Sequence, residues 1–393
     1  MIAQQMIENI KNSSWIRAMF EEGEKLRNIH GADKVFDFSL GNPDYEPPEV
    51  VREALKRLIS DDQQGLHRYT SNAGYPEVRE RIAQQINIES GRSLAAENII
   101  MTCGAAGGLN VVLKTILNPA EEVIVFAPYF MEYRFYIENH GGKAVVVPTG
   151  EGFEPDLQAL EKSLSPRCKA IILNSPNNPS GVVYNTQTLK DIAALLEAKA
   201  KEYNHEILVI SDEPYTKLVY EGVTVPNMMR IFRNCAVVNS FSKSLALPGE
   251  RIGYIAVSSE IDDLENLIGG MTFANRTLGF VNAPSLFQKL VGLTLDQASD
   301  VSEYQKRRDF FYENLLQLGF SCVKPQGAFY LFPKSPLSDD VDFVKRALKY
   351  NLLLVPGTGF ACPGYFRIAY CASMKTIENS MPAFAALAKE VIG

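Results

Sequence analysis

The sequence predicts an α/β protein of two domains. A large domain over residues 48–290 carries a mainly parallel sheet flanked by helices, and a smaller α+β domain joins residues 1–47 to 291–393. Three observations predict this. Short, nearly continuous apolar runs alternate with helical stretches through the middle of the chain, the rhythm of parallel strands covered on both faces. Beyond residue 290 that rhythm changes to a long helical pattern followed by isolated strands. A chain of 393 residues is also too long for one simple core.

The elements follow in order. Residues 7–30 have the period of an amphipathic helix, with Ile16, Met19, Phe20, Leu26 and Ile29 as its apolar stripe. Val35 to Leu40 lead into the turn-rich Gly41-Asn42-Pro43-Asp44. Helices are expected over residues 49–58 and 75–90, with a loop ending at His67-Arg68-Tyr69 between them. Strand-like runs then recur at 98–102, 122–126, 144–147, 170–173, 207–210 and 236–239. Cys103-Gly104-Ala105-Ala106-Gly107-Gly108 opens a helix to residue 117, and another helix spans residues 186–203. A helical pattern over 290–318 precedes strands at 328–332 and 365–370, a region to which the N-terminal segment is expected to return.

Composition excludes several classes. With 46% hydrophobic and 22% charged residues the chain reads as an ordinary soluble globular protein. A net charge of −7 and a pI near 5.4 argue against a nucleic-acid partner. The first residues lack a signal-peptide pattern, and no apolar run is long enough to span a bilayer. Six scattered cysteines without a C-x-x-C pair read as reduced thiols of a cytoplasmic enzyme, and four histidines without metal-ligand spacing predict no metal site.

The polar residues carry the chemistry. Gly104, Asn178, Asp212, Tyr215 and Lys243 each lie just beyond the carboxyl end of an expected strand, the edge where open α/β sheets bind ligands. Gly104-Ala105-Ala106-Gly107 at a helix start offers free N–H groups and a positive dipole end, which suit a phosphate; it would equally serve as a tight turn. Asp212 follows an apolar strand and needs a cation, such as a protonated pyridine nitrogen, unless it merely caps a helix or turn. Lys243, in Ser240-Phe241-Ser242-Lys243 with Arg251 eight residues on, is placed to lose its proton by desolvation and to form a Schiff base. The flanking serines and Arg251 would hold a phosphate beside that carbonyl. Arg367 interrupts an apolar strand, where a substrate carboxylate would be its bidentate partner unless it makes a structural salt bridge. One ligand satisfies them all: pyridoxal phosphate on Lys243.

In motif order, N-N-P-S-G at 177–181, D-E-P-Y at 212–215, S-x-S-K at 240–243 with its arginine, and a late F-R-I at 366–368, the sequence resembles the class I/II aminotransferases of fold type I. The resemblance covers about Phe38 to Arg367, nearly the whole chain. It implies the aspartate-aminotransferase-like fold. It also implies a pyridoxal-phosphate enzyme that moves an amino group from an L-amino acid to a 2-oxo acid, 2-oxoglutarate above all, with ping-pong kinetics. By that resemblance Lys243 is the Schiff-base lysine and the base that moves the proton between the substrate's Cα and the cofactor's C4′. Asp212 would hold the pyridine nitrogen, and Tyr215 and Asn178 the 3′-oxygen. Ser240, Ser242, Arg251 and the amides at Gly104, Ala105 and Ala106 would hold the phosphate, with Phe130 stacked on the ring. Gly41 and Arg367 match the carboxylate-binding positions. Tyr69 matches a tyrosine that reaches the phosphate of the neighbouring subunit, which implies a homodimer with shared active sites.

The sequence also departs from the family pattern. Some bacterial aspartate-specific members carry a lysine where Ala106 stands here, which weakens an aspartate assignment. Arg276 lies 33 residues after Lys243, one residue from where another branch places a partner-subunit arginine for a side-chain carboxylate. Two other functions fit parts of the pattern: a β-eliminating C–S lyase on the same fold, and a non-catalytic effector domain of a transcription regulator. A NAD site does not fit, because the glycine stretch is not G-x-G-x-x-G.

Overall fold

The computed structural model describes residues 1–11, 15–61 and 65–393. At its centre is a seven-stranded sheet of β2 (Ile99–Thr102), β3 (Glu122–Ala127), β4 (Lys143–Pro148), β5 (Cys168–Asn174), β6 (Leu208–Asp212), β7 (Cys235–Ser240) and β8 (Gly253–Val257). The spatial order is β2-β8-β7-β6-β5-β3-β4. Only β8 runs antiparallel, against both β7 and β2, so its amino end meets the carboxyl ends of the other strands. β8 is not among the strands expected from sequence.

Successive strand residues face opposite sides, and here both sides are apolar. Ile124, Ile171, Val209 and Val237 pack with the helices Pro76–Ser90, Thr186–Tyr203 and Ser285–Leu293. Val123, Val125, Ile210 and Val238 pack with the helices Gly104–Ile116 and Leu264–Thr277. Double coverage explains the unbroken apolar runs. Local signals set the helix ends: Asn185 caps Thr186–Tyr203 by accepting from Gln187 N at 2.7 Å, and Asn204 ends it in the left-handed region at φ 56°.

A separate buried cluster surrounds three antiparallel strands, β9 (Tyr330–Leu331), β11 (Val355–Pro356) and β12 (Phe366–Ala369). The N-terminal segment does return there: β1 (Phe36–Asp37) pairs in parallel with β10 (Leu352–Leu353). Phe38 is fully buried against Phe311, their ring centroids 5.2 Å apart.

Two expectations need correcting. The helical pattern over 290–318 is two helices, Ser285–Leu293 and Ser302–Gln317. The break comes at Asp296-Gln297-Ala298-Ser299-Asp300, where Asp300 accepts from Ser302 N at 2.8 Å and Ser299 N donates to Ser244 O at 2.7 Å. At the N-terminus the helices are Gln4–Lys11 and Trp15–His30; residues 12–14 and the side chains of Ile16 and Phe20 lie outside the described residues. Of the expected stripe Met19 is buried and Leu26 half-buried, but Ile29, in the last turn, is 71% exposed.

Candidate active site

The carboxyl edge of the sheet opens into a cavity of about 850 Å³, closed on the far side by β9 and β12. Of the fifteen residues singled out by sequence, twelve line it.

Asp212 ends β6 and is buried. Tyr133, on the helix Glu132–Asn139 that follows β3, donates a hydrogen bond from its hydroxyl to Asp212 Oδ2, while Oδ1 has no partner among the described residues. Burial pushes the Asp212 carboxyl up to about 6, against the lowering effect of the Tyr133 bond. The same burial, with the Asp212 charge, holds the Tyr133 hydroxyl well above its ordinary range.

Lys243 sits on the one-turn helix Phe241–Ser244 after β7, and its Nζ donates to Gly41 O at 2.6 Å. Burial brings the ammonium down to about 8, helped by the Arg251 and Arg367 charges and opposed by Cys371. Ser240 and Ser242 flank it, and Arg251 enters from the amino end of β8. The antiparallel direction of β8 is what brings Arg251 to this edge. Arg251 Nη1 donates to Pro248 O at 2.9 Å. Ala105 and Ala106 open the helix Gly104–Ile116 beside it. Gly104 does not line the cavity but makes room for Arg251: its φ is +71°, and a Cβ there would lie 2.6 Å from Arg251 Nη2.

On the opposite wall Arg367, in β12, donates from Nη1 to Asn178 Oδ1 at 3.0 Å and from Nη2 to Ser39 O. Its guanidinium lies over the rings of Tyr330 at 4.7 Å and Phe360 at 4.8 Å. Asn178 is fixed through its N–H, which donates to Asn174 Oδ1 at 2.8 Å. The Tyr215 and Tyr330 hydroxyls share a hydrogen bond of 2.9 Å, and burial raises both, Tyr330 to about 12. Gly41 and Phe130 complete the set.

Tyr69 and Arg276 stand apart. Tyr69 is 88% exposed, and Arg276 is exposed on the helix Leu264–Thr277 with its guanidinium over the Phe273 ring at 5.1 Å. Neither lines the cavity of its own chain.

The sequence profile of aminotransferase class I and II matches residues 33–383. The chain belongs to this aminotransferase family. A probable aspartate/prephenate aminotransferase of Thermus aquaticus is 33% identical, over 97% of this chain and 98% of that protein. The aspartate/prephenate aminotransferase of Thermus thermophilus is 35% identical, over 88% and 89%. Among solved structures, an amino transferase from Eubacterium rectale matches with a TM-score of 0.96 and 40% identity over the whole of both chains. The aspartate aminotransferase of Thermus thermophilus with maleate gives 0.85 and 32%, over 95% of this chain and 97% of that one. The fold and the chemistry expected from sequence are therefore those of a pyridoxal-phosphate-dependent aminotransferase.

The residues of this aminotransferase fit that cofactor. A buried carboxylate with an orphan oxygen suits a protonated ring nitrogen. A lysine with a depressed pKa suits an aldehyde. A helix start, Arg251 and the Ser240 and Ser242 hydroxyls, which bond no described protein group, suit a phosphate. Tyr133 and Tyr330 were not found from sequence: they touch Asp212 and Tyr215 across 79 and 115 residues. Only Tyr133 left a local trace, three residues after Phe130 at a helix start.

Proposed function

We propose that this aminotransferase passes the amino group of an L-amino acid to 2-oxoglutarate in two alternating half-reactions served by Lys243. The observation that carries the proposal is the pairing of Lys243, held at about 8 and bonded to Gly41 O, with an Asp212 that keeps one oxygen free. Pyridoxal phosphate, when bound, supplies the electron sink that acidifies the amino acid's Cα–H. Lys243 would hold its aldehyde carbon, Asp212 its ring nitrogen, Tyr215 and Asn178 its phenolic oxygen. Arg251, Ser240, Ser242 and the amides of Gly104, Ala105 and Ala106 would hold its phosphate, and Phe130 would stack on its ring.

Arg367 binds the amino acid's carboxylate, with Gly41 beside it. Its guanidinium is already oriented by Asn178 and two aromatic rings, so little freedom is lost on binding. Lys243, whose ammonium is brought down to about 8 by burial, takes the proton from Cα in its deprotonated form. Tyr133 keeps Asp212 oriented and ionised.

A homodimer belongs to the same proposal. Tyr69 and Arg276, exposed and away from their own cavity, would reach a second copy's site, Tyr69 at the phosphate and Arg276 at the side-chain carboxylate of 2-oxoglutarate. So does the division into a large domain over 48–290 and a small one over 1–47 and 291–393, supported by the separate buried cluster around β9–β12. Six free cysteines support a cytoplasmic setting, and among the described residues no helix is long and apolar enough to cross a membrane.

The test is a panel of L-amino acids given to the protein loaded with pyridoxal phosphate, scored by the spectral change of the bound cofactor and its reversal by 2-oxoglutarate. Lys243→Ala should lose the visible band and cut turnover by about 10⁴-fold. A wild type without that band would defeat the proposal. Pyruvate released from cystathionine or cysteine with no oxo acid present would favour β-elimination as the main reaction.

A further inference from the structure

Among the described residues, five charged side chains line the cavity: Lys243, Arg251, Arg367, Asp212 and Glu132. Under the reading above, four of them are matched by the invariant parts of cofactor and amino acid. Asp212 meets the ring nitrogen, Arg251 the phosphate, Arg367 the α-carboxylate and Lys243 the aldehyde. Glu132 is left over. Its carboxylate makes no hydrogen bond or ion pair among the described residues. Glu138, on the same helix, is held by Arg134 Nε at 2.7 Å.

Glu132 is half-buried, and burial raises its pKa with no cation offsetting the shift. Its place in the first turn of the helix Glu132–Asn139 suits a carboxylate through the helix dipole. That term would be met as well by a side chain turned to solvent, so it does not account for a carboxylate facing a cavity. Phe135 and Tyr136 of the same helix and Ile10 of the helix Gln4–Lys11 give the lining around it an apolar character, suited to a methylene chain. A desolvated, unpaired charge in an otherwise matched site calls for a counter-charge from the part of the substrate that varies.

We infer that Glu132 selects the variable amino-acid substrate, favouring a side chain that ends in a cation, such as the ammonium of lysine or ornithine. The inference rests on the aminotransferase reading of the cavity. An acidic side chain would meet a like charge at this wall. The partner's Arg276 would serve the dicarboxylate of the other half-reaction, so the two groups divide the two substrates by charge.

The experiment compares single half-reactions of the holoenzyme with lysine, ornithine, norleucine and glutamate, in the wild type, Glu132→Gln and Glu132→Ala. In the wild type, lysine should exceed norleucine, its uncharged near-isostere, on the order of ten-fold in kcat/KM. Glu132→Gln should bring that ratio close to unity and raise the rate with glutamate. A purely structural role would lower all four rates together. An unchanged lysine-to-norleucine ratio in the variants overturns the inference while leaving transamination of glutamate intact. So does a wild-type ratio at or below unity, a result that needs no folded variant. Failure of every amino acid to convert the cofactor would instead overturn the transaminase reading itself.

Discussion

Asp212 and Arg367 are both buried ions in one cavity, and the chain supports them in opposite ways. Asp212 has a single donor, Tyr133, and keeps Oδ1 without a partner. Arg367 is bonded at both terminal nitrogens, by Asn178 and Ser39, and lies against two rings. The difference teaches what each is set to receive. A carboxylate short of one partner is poised for one further donor, whereas a guanidinium held on several sides is an oriented plane that exchanges protein acceptors for a ligand's. One end of the cavity is completed by its cofactor, and the other is oriented beforehand, with Nε alone left without a partner among the described residues.

Breaking the Asp212 end should cost most. Asp212→Asn keeps the volume but removes the charge, and turnover should fall by about a hundred-fold or more with weaker cofactor retention. Turnover close to wild type would show that the orphan oxygen is not a cofactor contact. At the other end, Arg367→Lys loses the planar fork. The KM for amino acids should rise by about ten- to a hundred-fold, with a smaller change in kcat. A fall in kcat alone would remove Arg367 from the binding step. The mildest change, Tyr133→Phe, sharpens the contrast through pH. Asp212, at about 6, gains its proton as pH falls through that value, so affinity for pyridoxal phosphate should drop below it. Without the Tyr133 donor the anion is less favoured, its pKa rises, and the drop should begin at higher pH, costing only a few-fold at neutrality. Cofactor titrations of the two proteins across pH 5 to about 8 would show the displacement; superimposable curves would remove Tyr133 from this role.

Much of this was readable in the sequence because parallel strands share one carboxyl edge. Residues just past β5, β6 and β7 had to meet, whatever the loops did. Asp212, Lys243 and Asn178 were placed by that logic alone. Tyr330 was not, because nothing local marks a tyrosine in a two-residue strand as the neighbour of both Tyr215 and Arg367. β8 was hidden for a similar reason: strand direction is a property of pairing, and a five-residue apolar run does not declare it. The broken helix at 294–301 was missed because apolar periodicity continued across residues whose side chains bond the backbone instead. Glu132 passed unnoticed because an acidic residue at a helix start looks ordinary until its surroundings are known.

Gly41 accepts a hydrogen bond from Lys243 Nζ through its carbonyl, and a Cβ on it would fall on the Tyr330 hydroxyl, the group that bonds Tyr215. The missing methyl thus ties together positions 41, 215, 243 and 330, which lie on four separate segments. Mutational drift at one of them is therefore not independent of the others. A larger residue at 41 would be tolerated only in a lineage that had already changed Tyr330, and the loss of that phenol would in turn alter what Tyr215 can hold. Inheritance here acts on the quartet.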